Sequence, residues 1–136
     1  MTLAPAPKIL VVDDDPSVRR LVKDVLDLEG FDVVTAGDGY AGLRQIELER
    51  PDCVVLDVMM PGLDGHGVLS RIRSGGGKHL PVVMLTAAAD DGQAWQAWTE
   101  GVDYFLSKPF EPQELLRFLD YLFAAGPEPR TAPLAG

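Results

Sequence analysis

The chain has 136 residues and a single cysteine, which is enough sequence for one domain with a substantial core and excludes an internal disulfide. Its formal net charge of −9 argues against direct nucleic-acid binding, because such binding relies on Lys and Arg to neutralise phosphates. A hydrophobic fraction of 46% argues against disorder, no apolar run approaches the ~20 residues of a membrane span, and the first residues lack the layout of a secretion signal, so we expect a cytoplasmic protein.

Apolar runs and helical stripes alternate from the N-terminus onward. Lys8 to Val12 is a short β-branched run that suits a strand covered on both faces. Asp15 and Pro16 then form a helix N-cap with proline in the first turn. An apolar stripe at helical spacing follows: Val18, Leu21, Val22, Val25 and Leu26. Gly30 ends this helix, and Phe31 to Ala36 is the second predicted strand.

The same alternation continues through the middle of the chain. Gly37 to Gly39 turns into a second helix, which carries Ala41, Leu43 and Ile46. Cys53 to Leu56 is the third predicted strand. Pro61 to Gly65 is a loop, because proline and glycine favour turns. The third helix is marked by Val68, Leu69 and Ile72.

The last part of the ordered chain adds two further strands and two further helices. Leu80 to Leu85 is the fourth predicted strand, and Ala94 to Glu100 belongs to a fourth helix. Tyr104 to Leu106 is the fifth strand, and Glu111 to Phe123 is a fifth helix. The apolar stripe of the fifth helix consists of Leu115, Leu116, Leu119, Leu122 and Phe123.

Strands that alternate with helices predict an α/β fold whose parallel strands are joined by right-handed crossovers. In such open sheets, a ligand binds outside the carboxyl ends of the strands. That rule brings the polar residues near the strand ends to one edge: Asp13, Asp14, Asp57, Thr86 and Lys108. Carboxylates, a hydroxyl and an ammonium group together form a site suited to a divalent cation and a phosphoryl group.

Four motifs, in this order, resemble those of the receiver domain of bacterial two-component response regulators. They are Leu-Val-Val-Asp13-Asp14, Leu-Asp57-Val-Met-Met-Pro61-Gly-Leu-Asp-Gly65, Leu-Thr86-Ala and Lys108-Pro109-Phe. The resemblance covers residues 8–124 and implies a flavodoxin-like (βα)5 fold, a three-layer sandwich with a parallel sheet of order 2-1-3-4-5. Residues 1–7 are then a flexible lead-in, and the Pro- and Ala-rich residues 125–136 are a disordered tail or the start of a linker.

The resemblance also implies a chemistry for the predicted site. Asp57 would be the phosphoryl acceptor, and it would attack a phosphohistidine on a sensor histidine kinase or a phosphotransfer protein. Thr86 and Lys108 would hold the phosphoryl oxygens. Such a protein is a signalling switch that assists its own phosphorylation and dephosphorylation, and it is not an enzyme in the ordinary sense.

Magnesium is the cofactor that the resemblance implies, and no organic cofactor is expected. Asp14, Asp57 and the backbone carbonyl of Met59 would bind the ion directly, and Asp13 would bind it through water. The dication would relieve the mutual repulsion of the carboxylates. A further hypothesis is that Met59 and Ala88 screen the phosphoryl group from attacking water.

Thr86 and Phe105 would form the switch. When Thr86 moves toward the phosphoryl group, the Phe105 ring rotates inward and changes the surface of the fourth helix, fifth strand and fifth helix. Phe105 has no hydroxyl, so burial of its ring carries no polar desolvation penalty and the inward state should be readily populated. That surface would control a downstream protein, an output domain missing from this sequence, or a phosphorylation-dependent homodimer. The family also implies a cis bond between Lys108 and Pro109.

Other functions remain open at this point. A haloacid-dehalogenase-like phosphatase also uses an Asp nucleophile with Mg²⁺, but it has a second Asp two residues later, where this chain has Met59. A phosphate-independent receiver-like interaction module would be expected to lack Asp57, Thr86 or Lys108. A flavin-binding protein would need a phosphate-binding loop rich in Ser, Thr and Gly after the first strand.

Several residues have an ordinary structural interpretation. Asp15 is interpreted as a helix cap, and Cys53 as a small buried hydrophobic residue. The two histidines, His66 and His79, are expected to be solvated. Trp95 and Trp98 lie three residues apart and share a helix face, where core packing and a partner interface are equally favoured.

Overall fold

The computed structural model describes residues 5–76, 78–87 and 100–124. These residues contain a five-stranded sheet in which every neighbouring pair is parallel and the strand order is 2-1-3-4-5. The strands are β1 (Lys8–Val12), β2 (Asp32–Ala36), β3 (Cys53–Asp57), β4 (Val82–Thr86) and β5 (Tyr104–Ser107). The predicted architecture and strand order are confirmed.

Four helices pack on this sheet within the described residues. They are α1 (Pro16–Leu28), α2 (Gly39–Glu49), α3 (Gly65–Ser74) and the C-terminal helix (Pro112–Phe123), which corresponds to the predicted fifth helix. Each of the first three begins after an aspartate whose side chain accepts a backbone N–H of the first turn; these caps are Asp15, Asp38 and Asp64. The C-terminal helix begins after Glu111, whose backbone N–H donates to Oε1 of Glu114 at 3.0 Å, one half of a capping box.

The sheet separates two apolar layers, because successive side chains of a strand point to opposite faces. One layer joins one face of the central strands to α2 and α3, and it includes Leu10, Val12, Val54, Leu56, Val68, Leu69 and Met84. The other joins the opposite face to α1 and the C-terminal helix, and it includes Ile9, Val11, Val22, Leu26, Val55, Leu85, Leu115 and Leu119. Strands covered on both faces explain the uninterrupted apolar runs of the sequence.

Most element boundaries agree with the predictions to within two residues. β4 begins at Val82 rather than Leu80, because Pro81 has no N–H with which to extend the sheet. β3 and β5 each run one residue further than predicted, to Asp57 and Ser107. Leu21, predicted as part of the buried stripe of α1, is 56% exposed.

Some sequence-based predictions lie outside the described residues. They concern the fourth helix apart from Glu100, both tryptophans (Trp95 and Trp98), the proposed screen at Ala88, and residues 125–136. Among the described residues, no helix combines the length and apolar character needed to cross a membrane.

The register of the sheet positions the site. Val12 pairs with Leu56, Asp57 pairs with Leu85, and Thr86 pairs with Ser107. Four adjacent strands therefore end side by side, and the residues at or just past their tips share the carboxyl edge of the sheet: Asp13, Asp57, Thr86 and Lys108.

Candidate functional site

Two buried carboxylates and one ammonium group meet at the carboxyl edge of the sheet. Asp13 and Asp57 are 0% and 3% exposed. The Nζ atom of Lys108 lies 3.0 Å from Oδ2 of Asp13 and 3.3 Å from Oδ1 of Asp57. Charges this deeply buried are tolerated only when they are paired, so Lys108 is the counter-ion that both carboxylates require.

Asp13 is fixed by hydrogen bonds on all its polar groups. Its backbone N–H donates to the carbonyl of Ala36 at 3.2 Å, which extends the pairing of β1 with β2. Its Oδ1 accepts the N–H of Asp15 at 2.9 Å, and its backbone carbonyl accepts Nη1 of Arg19 at 2.7 Å. The β1–α1 loop therefore holds this side chain in one orientation before any ligand binds.

Two carboxylates, Asp13 and Asp57, share one ammonium group, that of Lys108, and the pKa values of Asp57 and Lys108 are both shifted. Burial and the nearby charge of Asp13 raise the pKa of Asp57 to about 6 from the ordinary 3.8, although Lys108 acts in the opposite direction. Burial alone would lower the pKa of Lys108, but its hydrogen bond to Asp13 and the charges of both carboxylates raise it overall. The lysine is thus held as a cation, and the pocket has a deficit of positive charge.

A third carboxylate completes a group that could hold a metal ion. One oxygen from each of Asp13, Asp14 and Asp57 lies within 4.8 Å of the others, and Asp14 is exposed at the mouth of the pocket. Hard cations such as Mg²⁺ prefer carboxylate oxygens and retain several waters, so an open site with three carboxylates fits such an ion. Burial first, and the charge of Asp13 second, raise the pKa of Asp57, and a bound dication would relieve the second of these.

The remaining predicted residues lie on, or just past, the strands that end at this group. Thr86 is 2% exposed at the tip of β4, the strand next to that of Asp57. Phe105 pairs with Met84 in the sheet and packs, partly buried, against the apolar layer under α2 and α3. Met59 lies two residues past Asp57 and is 59% exposed. The bond between Lys108 and Pro109 is cis, as predicted.

Gly65 has a role that the sequence reading did not identify. Its N–H donates to the carbonyl of Val58 at 2.8 Å, which brings the start of α3 directly against the end of β3. A Cβ at this position would collide with the carbonyl oxygen of Asp57 and lie 2.7 Å from Cα of Val58. Only glycine permits this approach, so Gly65 helps to place the backbone that carries Asp57.

The prediction of two solvated histidines was wrong for His66, which is 8% exposed. Its Nδ1 lies 2.9 Å from Oε1 of Glu100, and this contact joins α3 to the segment before β5. His79 is exposed, with Nε2 at 2.8 Å from Oδ1 of Asp103. Cys53 is fully buried, and burial raises the pKa of its thiol to about 12, as expected for an inert apolar residue.

Comparison with known sequences agrees with this geometry. A family model described as the response regulator receiver domain matches residues 9–120. The probable transcriptional regulator ycf27 of Cyanophora paradoxa is 46% identical over 108 residues, which cover 79% of this chain and 44% of that protein. The DNA-binding response regulator MtrA of Mycolicibacterium smegmatis is 43% identical over 109 residues, which cover 80% and 47%. This chain therefore spans less than half the length of these two relatives.

Solved structures give the same result over nearly their whole length. The receiver domain of the Francisella response regulator 1452 has a TM-score of 0.81 and 33% identity, with 87% of this chain and 97% of that chain covered. The chemotaxis protein CheY4 of Vibrio cholerae has a TM-score of 0.79 and 32% identity, with 85% and 98% covered. Fold and sequence thus indicate the same family.

Proposed function

This chain belongs to the response regulator receiver domain family, and we propose that it accepts a phosphoryl group on Asp57. A receiver domain is a signalling component of a two-component system rather than a classical enzyme. The observation that supports the assignment most strongly is the position of Asp57. Its carboxylate lies at the carboxyl edge of a parallel sheet, 3.3 Å from Nζ of Lys108 and within a group of three carboxylates.

The transfer would form one bond and break another. An oxygen of Asp57 attacks the phosphorus of a phosphohistidine, and the bond between phosphorus and the imidazole nitrogen breaks with its electron pair left on the nitrogen. An acyl phosphate forms on Asp57. Lys108 faces the new negative charge, and the Thr86 hydroxyl holds a phosphoryl oxygen; these contacts are how the domain assists its own phosphorylation and dephosphorylation.

Asp14, Asp57 and the backbone carbonyl of Met59 would hold Mg²⁺ directly, and Asp13 would hold it through water. When bound, the ion neutralises carboxylate and phosphoryl oxygens. Asp13 is already oriented by its bonds to Asp15 and Lys108, and Asp14 stands at the solvent-exposed mouth where an ion enters. The donor set is all oxygen, which suits Mg²⁺ better than a softer metal.

The output would follow from Thr86 and Phe105. Thr86 moves toward the phosphoryl group and vacates space, and the Phe105 ring rotates inward because it carries no hydroxyl to desolvate. The surface of the fourth helix, β5 and the C-terminal helix then changes, and it controls a target protein, an output domain or a homodimer. NMR solvent accessibility of the Phe105 ring should fall when a phosphate mimic binds, and equal accessibility in both states would contradict the switch.

The proposed partners follow from the relatives. A sensor histidine kinase or a phosphotransfer protein would supply the phosphoryl group. MtrA is called a DNA-binding response regulator, and this chain matches only part of it, so we propose that any DNA contact is made by a different part of such a protein. The net charge of −9 supports the absence of direct nucleic-acid contact here. A cytoplasmic location and the division into residues 1–7, 8–124 and 125–136 remain predictions.

The test is the intact mass after incubation with acetyl phosphate, with Mg²⁺ or with EDTA. Wild type should gain one phosphoryl group only with Mg²⁺, and Asp57→Asn should gain none. Asp52→Asn is the control, because Asp52 is exposed at the opposite end of the same strand. Retained phosphorylation in Asp57→Asn would overturn the assignment. Catalytic release of phosphate from small phosphomonoesters would favour the phosphatase alternative, and a folded, Mg²⁺-binding protein that is never phosphorylated would favour the phosphate-independent module.

A further inference from the structure

Arg19 links the β1–α1 loop, which carries Asp13 and Asp14, to the β2–α2 loop at Gly37, and none of the proposed site roles uses it. Its Nη1 donates to the backbone carbonyl of Asp13 at 2.7 Å. The same atom lies 3.2 Å from the point that a Cβ of residue 37 would occupy, so the guanidinium also abuts the β2–α2 loop at Gly37. The side chain is partly buried, and its own backbone N–H continues α1 by donating to Asp15.

The carbonyl that Arg19 holds belongs to the peptide unit between the two adjacent carboxylates. That peptide plane sets the direction in which both Asp13 and Asp14 leave the backbone. The Asp13 side chain has other anchors at Asp15 and Lys108. The carboxylate of Asp14 makes no hydrogen bond with the described residues, so its orientation depends on the backbone that carries it. Groups that orient metal ligands from behind affect metal affinity although they never touch the ion.

We propose that Arg19 is a positioning residue for the metal site: by fixing the Asp13–Asp14 peptide against the Gly37 loop, it preorganises these two carboxylates for a divalent cation. The inference rests on the proposed function, because it assumes that the cation binds at this group. Arg19 contacts neither the ion nor the reacting atoms in this assignment. The contact to the Asp13 carbonyl exists without metal, so its loss should lower stability modestly, and the contribution that distinguishes positioning is the one to metal affinity.

The adjacent Arg20 provides a matched control. It is exposed on the same helix, and its side chain makes no hydrogen bond or ion pair with the described residues. Arg19→Ala and Arg20→Ala remove the same charge, and loss of a cation near the carboxylates would by itself strengthen Mg²⁺ binding. If Arg19 positions the carboxylates, Arg19→Ala should instead weaken Mg²⁺ binding, and Arg20→Ala should not. Relative to Arg20→Ala, we expect Arg19→Ala to weaken Mg²⁺ binding by roughly three- to tenfold, the range of one lost hydrogen bond.

The measurement is calorimetric titration of the full chain with MgCl2, with urea unfolding in EDTA as the second readout. Arg19→Lys keeps the charge and one donor, so its Mg²⁺ dissociation constant should lie between those of wild type and Arg19→Ala. Without metal, the urea midpoint of Arg19→Ala should lie modestly below that of Arg20→Ala, because one hydrogen bond is lost, and calorimetry on the folded protein measures the metal affinity separately. Equal dissociation constants for the two alanine variants, or tighter binding by Arg19→Ala, would overturn the inference.

Gly37→Ala tests the same contact without removing a charge, and it serves if Arg19→Ala fails to fold. The added Cβ would press on the guanidinium at 3.2 Å, which is too close for ordinary contact. Gly37→Ala should weaken Mg²⁺ binding in the wild-type background. In the Arg19→Lys background it should have no further effect, because the guanidinium is absent. The same loss of Mg²⁺ affinity in both backgrounds would overturn the inference. Wild type that binds no Mg²⁺ at all would instead overturn the proposed metal site, and the inference with it.

Discussion

Replacement of Asp57 by Asn should make the metal-free protein more stable, although it removes a partner of Lys108. The Asp57 carboxylate is buried beside Asp13, and among the described residues a single ammonium group, that of Lys108, pairs with both of them. An amide of nearly the same shape can still accept from Lys108 but carries no charge. The substitution therefore relieves desolvation and like-charge repulsion, which together raise the pKa of Asp57.

The size of this stabilisation and its dependence on pH follow from the pKa of Asp57. A rise from 3.8 to about 6 corresponds to about 3 kcal/mol of destabilisation of the charged native state. The neighbouring Asp14 is exposed, so solvent screens part of these charges, and we expect a destabilisation of roughly 1–2 kcal/mol. Because the native pKa lies above the unfolded value, the native state binds more protons between them, and the penalty falls as the pH drops from about 7 to about 4. The advantage of Asp57→Asn should shrink in the same window.

The difference in the free energy of unfolding between Asp57→Asn and wild type is measured directly by urea unfolding in EDTA, with circular dichroism as the signal. Asp57→Asn should exceed wild type by roughly 1–2 kcal/mol near neutral pH and approach it at about pH 4. Added Mg²⁺ should stabilise wild type more than the variant, because under the proposed function the ion would bind the three native carboxylates. Asp52→Asn should show neither effect. Equal or lower stability of Asp57→Asn in EDTA at neutral pH would refute the reasoning, since attraction to Lys108 would then outweigh burial and repulsion.

Three further predictions concern the surroundings of Asp57. Lys108→Ala should lower the free energy of unfolding in EDTA by about 1–3 kcal/mol, because two buried carboxylates lose their cation. Mg²⁺ should recover part of this loss, and an unchanged free energy of unfolding would mean that the pairing is unimportant. Gly65→Ala should lower the free energy of unfolding by about 1–3 kcal/mol or more, because the added Cβ collides with the Asp57 carbonyl. Gly75→Ala is the control: its Cβ would make only ordinary contacts, so the free energy of unfolding in urea should change by less than about 0.5 kcal/mol. Met59→Asn should speed loss of the phosphoryl group, measured by intact mass over time, and an unchanged rate would contradict the screening role.

The sequence was sufficient to predict the sheet and the convergence of the site. Apolar β-branched runs such as Lys8 to Val12 mark buried parallel strands, and parallel strands present their carboxyl ends at one edge. Asp13, Asp57 and Lys108 therefore had to come together, although they lie up to 95 positions apart. Some helix caps could also be predicted, because capping is local: the side chain of Asp15, just before Pro16, accepts a backbone N–H of the first turn.

Contacts between distant segments could not be predicted in this way. His66 is polar and near a turn, which suggests exposure, and only the fold brings Glu100, 34 positions later, within reach. Gly65 was interpreted as a turn residue because its close approach to β3 involves atoms that no local pattern encodes. Arg19 gave one weak signal, a cation just past the first turn of a helix, where the helix dipole disfavours positive charge.

The central claim is that Asp57 carries the phosphoryl group, and trapping the acyl phosphate tests it most directly. The protein is incubated with acetyl phosphate and Mg²⁺, reduced with borohydride, which converts an aspartyl phosphate to homoserine, and digested for tandem mass spectrometry. Homoserine should be found at position 57 and should be absent in EDTA. Homoserine at Asp13, Asp14 or another carboxylate, with position 57 unmodified, would contradict the account.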